Sequence, residues 1–96
     1  MNPNGFEWDG GNSNKNLKRH GVTDQECEEL FFDSQLLVYD DKKHSKEEDI
    51  YYALGKTISR RILFVVFAVR NEKIRVISGR DMNSKERVEY EKCEKE

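Results

Sequence analysis

Two histidines, His20 and His44, are the residues of this chain whose ordinary titration falls near neutral pH, so they are the first candidates for proton transfer. Arginines have the second kind of chemical reach. A guanidinium can grip a phosphate through two parallel hydrogen bonds and stabilise the added negative charge of a phosphorane-like transition state. Arg80 is the most suggestive of them. It ends the apolar stretch that begins at Ile74, just before a helix start that should bring Glu86, Arg87 and Tyr90 close to it. Each residue also has a plainer reading. Arg80 could simply pair with Glu86 or cap the sheet. His20 could be a partly buried structural histidine, and His44 a solvated loop residue beside Ser45, Glu47 and Glu48. The chain has no P-loop, Rossmann fingerprint, HExxH or GxSxG, so nucleotide, hydride, zinc-protease and hydrolase chemistries lack their required parts.

The elements that must position these residues follow from spacing. Phe6-Glu7-Trp8 alternates and runs into Asp9-Gly10-Gly11, as an edge strand and turn would. Ser13 can cap a brief helix ended by Gly21, with Leu17 and His20 on its inner face. Thr23 and Glu26 have capping-box spacing and open a second helix whose apolar side is Cys27, Leu30 and Phe31. Leu36 to Tyr39 and Ile50 to Leu54 read as strands joined by the charged loop Asp40 to Asp49. Ile62 to Val69 is apolar on both faces, as in a central strand, and Asn71-Glu72-Lys73 turns it into a hairpin with Ile74 to Arg80. Asn83 and Glu86 then cap a last helix with a thin apolar face of Val88 and Tyr90.

The expected fold class is therefore α+β, a mainly antiparallel sheet with helices packed on it. Pairing along the hairpin sets Arg80 opposite Phe64, Leu63 or a near neighbour, with Arg61 close by. Arg70, Lys73 and Arg75 gather at the hairpin tip, about 17 Å away at the rise of a strand. The aromatic residues Tyr51, Tyr52, Phe64 and Phe67 read first as core.

Ninety-six residues allow one domain, 1–96. With 35% hydrophobic and 38% charged residues, its core must be thin. A net charge of −2 excludes coating nucleic acid by bulk electrostatics, so any phosphate chemistry must be local. Cys27 and Cys93 lack metal or disulfide spacing and are expected as reduced thiols. No run is long enough to span a bilayer and the N-terminus is polar, so no membrane association and a cytoplasmic location are expected.

Three stretches together resemble the BrnT family, the toxins of BrnT–BrnA type II toxin–antitoxin pairs. They are Phe6-Glu7-Trp8-Asp9 followed by Asn16 and His20-Gly21-Val22; His44-Ser45 with Glu48-Asp49; and Arg75-Val76-Ile77-Ser78-Gly79-Arg80 with Glu86-Arg87 and Tyr90. They span residues 6–91. The sequence departs from the family pattern at Asn12 and Ile50, where basic residues are common, at Arg19, where lysine is usual, and at Gly79, where alanine is common. The resemblance implies a RelE-like fold and an endoribonuclease that inhibits translation without a metal or other cofactor. It also implies neutralisation by a BrnA-like ribbon-helix-helix antitoxin, with DNA bound only through the toxin–antitoxin complex. Cleavage by the neighbouring 2′-hydroxyl needs a proton acceptor, a proton donor and cationic stabilisation. The expected assignment is Arg80 and Arg61 on the phosphate, Glu48 or His20 as acceptor, and Tyr90 or His44 positioning or protonating the leaving oxygen. Arg75, Arg70, Lys15 and Arg19 are expected to contact RNA. The competing functions are a non-catalytic RNA- or protein-binding module and a corepressor subunit of an antitoxin complex.

Overall fold

The structure is a computed structural model and describes residues 4–43 and 48–94. Its described elements are α1 (Lys15–His20), α2 (Asp24–Glu29) with a 3-10 turn Leu30–Phe32, β1 (Leu37–Asp40), β2 (Asp49–Lys56), β3 (Ile62–Arg70), β4 (Lys73–Asp81) and α3 (Ser84–Glu94). The strands form one antiparallel sheet in the order β1-β2-β3-β4, so sequence neighbours are also neighbours in space.

Side-chain alternation sends two apolar sets to opposite faces of this sheet. Ala53, Leu63, Val65, Phe67, Ile74 and Val76 meet Val22, Cys27 and Leu30 on the α1–α2 side. Leu54, Phe64 and Ile62 meet Met82 and Tyr90 on the α3 side. The central strand β3 is thus covered on both faces, as its unbroken apolar run requires. Among the described residues no helix is long and apolar enough to cross a membrane.

Both capping boxes form where the spacing puts them. Thr23 accepts from the Glu26 amide at 3.0 Å while Glu26 accepts from the Thr23 amide at 2.9 Å. Asn83 and Glu86 do the same at 2.8 and 2.9 Å. Gly21 ends α1 at φ 67, a conformation that costs glycine little.

Several sequence expectations are corrected. Phe6 makes an isolated parallel bridge to Ile74 rather than an edge strand, and residues 4–7 run along the β4 edge through the Glu72 and Ile74 carbonyls. The N-cap of α1 is Asn14, held in a left-handed conformation without a side-chain cap. The Ser13 hydroxyl donates to Asp24 instead. Leu17 and His20 face solvent, and the residue α1 buries is Asn16. The last helix buries Tyr90 but leaves Val88 56% exposed. Cys27 is a buried thiol, pushed up to about 12 by burial and by the carboxylates around it. The Cys93 side chain lies outside the described residues.

One irregularity decides where the arginines point. The hairpin turns on Asn71 and Glu72, both with positive φ, as a two-residue turn matched to strand twist requires. Continued without interruption from the Arg70↔Lys73 pair, that register would place Arg80 opposite Leu63, on the α1–α2 face. A bulge intervenes instead. Val66 pairs with Ser78 and Phe67 with Val76, so Ile77 is the extra residue and every later side chain of β4 changes face. Arg80 stands opposite Phe64, on the α3 side, and Gly79 and Asp81 turn toward α1 and α2.

Gly79 carries a testable consequence of this packing. A Cβ there would stand 2.8 Å from Cys27 Sγ, so an alanine does not fit beside this cysteine without a shift. Gly79→Ala should destabilise the fold by about 1–3 kcal/mol through overpacking. Adding Cys27→Ala should recover most of it, as read from urea unfolding midpoints. Equal losses in the single and double variants would show that the sulfur is not the obstacle.

Candidate functional site

Arg80 emerges on the α3 face with its guanidinium carbon 4.2 Å from the Phe64 ring centroid, a cation–π distance. Phe64 continues an aromatic row across the sheet, 5.5 Å from Tyr52, which stacks on Tyr39 at 4.9 Å. Nη1 and Nη2 of Arg80 donate to the two oxygens of Glu86 at 2.8 and 2.9 Å, and Nη1 also donates to the Asp81 carbonyl at 3.0 Å. Burial pushes the Glu86 carboxyl up, but the bonds from Arg80 and the Asn83 amide outweigh it and hold it below the usual glutamate range. A guanidinium has five N–H groups. Among the described residues, the Nε proton and one Nη2 proton of Arg80 have no partner. Those two protons form the side-on fork that matches two oxygens of a phosphate. A cleft of about 500 Å³ opens alongside, lined by Tyr39, Tyr52, Phe64, Lys85, Glu86 and Glu89 among others.

Arg61 lies on the other face and is fully engaged. Nε and Nη2 bind the two oxygens of Asp81 at 2.7 and 3.0 Å. Nη1 donates to the Gly21 carbonyl at 2.8 Å and reaches Glu26 at 3.3 Å, and Nη2 reaches the His20 carbonyl at 3.4 Å. All five donors are therefore committed, and Arg61 pins the end of α1 to β4 and α2 instead of offering a phosphate site. The expectation that Arg61 and Arg80 converge on one phosphate is corrected, because the bulge at Ile77 puts them on opposite faces with different carboxylates.

The exposed imidazole of His20 ends α1 beside Asp81, whose carboxyl is held below the usual aspartate range chiefly by the Arg61 hydrogen bonds, with a smaller electrostatic contribution from His20. His20 and Arg80 thus approach the same end of β4 from opposite faces of the sheet. Three other expected participants stand elsewhere. Glu48 makes a bidentate pair with Arg70 at the hairpin-tip end, which lowers its carboxyl and places it six residue positions along the sheet from Arg80. Tyr90 is 1% exposed, with its hydroxyl donating to Asp33 at 2.6 Å. His44 lies outside the described residues, as do Ser45 and Glu47.

The tip arginines are also committed. Arg75 binds Glu7 at 3.0 Å and Asp9 at 2.9 Å with its side chain only 16% exposed, so it fastens the N-terminal segment to β4. Lys15 and Arg19 remain exposed on α1, near enough to His20 in sequence to form a basic face with Lys18. Spacing alone could not have shown that Glu7, Asp9 and Asp81 neutralise the arginines, because the partners come from distant parts of the chain. Glu86 was visible as a partner of Arg80 through its capping position.

Comparison with protein families adds the deciding observation. Residues 8–86 match the model described as the ribonuclease toxin, BrnT, of type II toxin–antitoxin systems. The chain belongs to the BrnT family. Membership agrees with the four-stranded antiparallel sheet and three helices seen here, since BrnT folds are RelE-like. It makes the chain a ribonuclease toxin, with RNA as substrate and a cognate antitoxin as partner. No curated protein matches the chain. Asn12, one of the positions where the chain departs from the pattern it resembles, is buried, with its amide nitrogen donating to the Glu7 and Val76 carbonyls at 3.0 Å each. That position holds the N-terminal segment and presents no charge.

The carboxylates around the BrnT arginines tie the stability of the fold to pH. Glu86 and Glu26 both lie below the usual glutamate range, because their hydrogen bonds to arginine and to main-chain amides outweigh burial. A carboxyl lowered by folding adds stability that is full above its unfolded value and is lost as pH falls through its folded value. The melting temperature should therefore stay level from neutral pH down to the usual glutamate range and fall below it. Glu86→Gln should make that fall shallower, as followed by thermal melts across pH. An unchanged acid slope would remove Glu86 from the linkage.

Proposed function

We propose that this toxin cleaves an RNA phosphodiester by acid–base chemistry without a bound metal, and that it acts in the cytoplasm to arrest translation. Arg80 holds the scissile phosphate in its side-on fork. The neighbouring 2′-hydroxyl gives up its proton to a base as its oxygen forms the new bond to phosphorus and the bond to the 5′ oxygen breaks. The proton returns to that leaving oxygen from the protonated base or from water, giving a cyclic phosphate end and a 5′-hydroxyl end. Arg61 and Asp81 hold the His20 end of α1, and Lys15 and Arg19 provide a basic approach for the backbone. A ribbon-helix-helix antitoxin would neutralise the toxin, with operator DNA bound only by the complex.

The observation that carries this reading is the unengaged fork of Arg80 beside an open cleft, in contrast to Arg61 and Arg70, whose Nε and Nη2 are taken by carboxylates, and to Arg75, whose side chain is only 16% exposed under Glu7 and Asp9. Incubating the purified chain with RNA in chelator tests it. Cleavage that stops in Arg80→Ala supports the reading, and undiminished cleavage by that variant would overturn it. The uncharged, buried Asn12 favours a second reading, a module that grips RNA without cutting it. Retention of RNA without new ends in the same incubation would favour that module.

A further inference from the structure

We infer that Asn16 is a positioning residue, which fixes the end of β4 that carries Arg80 from the buried side of α1. The inference rests on the proposed site, and its starting observation is independent of it. Among the described residues, Asn16 Nδ2 is the buried side-chain polar atom without a hydrogen-bond partner. Leaving such a donor unpaired costs about 1–3 kcal/mol, so an apolar side chain of similar shape would suit the interior better unless the other half of the amide is needed.

The other half is engaged at the site. Asn16 Oδ1 accepts from the Gly79 amide at 2.9 Å, in a bond that is buried although β4 is the last strand of the sheet. An edge strand otherwise leaves such an amide to solvent. Gly79 directly precedes Arg80, so this bond sets the height and twist of the strand end from which the guanidinium departs. The Asn16 main-chain carbonyl accepts from the Gly21 and Val22 amides, which shapes the turn immediately after His20. No other described hydrogen bond joins the interior of α1 to β4 at this level. Arg61 supplies the parallel tie on the exposed side.

Displacements near 1 Å in a reacting constellation can cost about 10²-fold in rate. Asn16→Ala should therefore lower kcat for RNA cleavage by about 10–100-fold, with KM changed far less. Asn16→Asp retains an acceptor for Gly79 and should restore most of the kcat. A lower melting temperature with undiminished kcat in Asn16→Ala would reduce Asn16 to a structural role and overturn the inference. Should Asn16→Ala fail to fold, amide hydrogen exchange of the unaltered protein decides. The Gly79 amide should then be as protected as amides paired within the sheet, and exchange at the rate of exposed edge amides would overturn the inference. Arg80→Ala is measured alongside. Full cleavage by that variant would reject the proposed site itself, whereas loss of cleavage in Arg80→Ala with normal kcat in Asn16→Ala would reject only the positioning role.

Discussion

Arg80→Ala is expected to lower RNA cleavage by about 10²–10³-fold, the usual cost of removing one donor aimed at developing transition-state charge, and to abolish growth arrest when the chain is expressed without its antitoxin. The fold should survive, because the Arg80 side chain is 34% exposed and its ties are to Glu86 and to the surface of Phe64. Arg80→Lys separates charge from geometry. Lysine keeps the positive charge but cannot bind Glu86 and two phosphate oxygens in one plane, so it should recover only a small part of the activity. Undiminished arrest in Arg80→Ala, with the variant shown to be folded, would remove Arg80 from the site.

The second large effect is on stability. Tyr90→Ala should cost about 3–5 kcal/mol, the range for deleting a buried aromatic side chain, out of a total of roughly 5–15 kcal/mol for a domain of this size. Tyr90 is the fully buried side chain of α3. It packs with Leu54 and Met82 and is hydrogen-bonded to Asp33, which also accepts from the Lys56 and Gln35 amides at 2.9 and 3.0 Å. Loss of that ring should free α3 and with it Glu86, so cleavage would fail along with the fold. Tyr90→Phe distinguishes structure from chemistry. It should cost about 1 kcal/mol, through the lost hydroxyl bond, and leave kcat unchanged. A large fall in kcat with a normal melting temperature would return the hydroxyl to the reaction as a proton donor.

Much of the scaffold was legible because its signals are local. Thr23 with Glu26, Asn83 with Glu86, Gly21 at the end of α1 and the unbroken run of β3 each specify their own neighbourhood, and each forms as its spacing requires. The bulge at Ile77 had no such signal. A run of alternating β-branched residues reads the same with or without an extra residue, yet that residue reverses the face of Arg80 and separates it from Arg61. The burial of Asn16 in place of Leu17 was hidden for a related reason. Apolar periodicity assigns the inner face of a helix by hydrophobicity, whereas α1 turns a polar residue inward to satisfy an edge-strand amide. The neutralised tip was illegible because Glu7 and Asp9 reach Arg75 across most of the chain. The resemblance to BrnT toxins was carried by short stretches, and these named the family and Arg80 without showing that its side-on fork stays open beside the cleft.

That fork can be observed directly in the guanidinium Nε–H signals of nitrogen-labelled protein titrated with a 2′-O-methyl RNA oligonucleotide, which binds but cannot be cut. The Arg80 signal should shift with saturation, while those of Arg61, Arg70 and Arg75 hold their positions. An unmoved Arg80 signal alongside displaced signals from the other three would contradict the account.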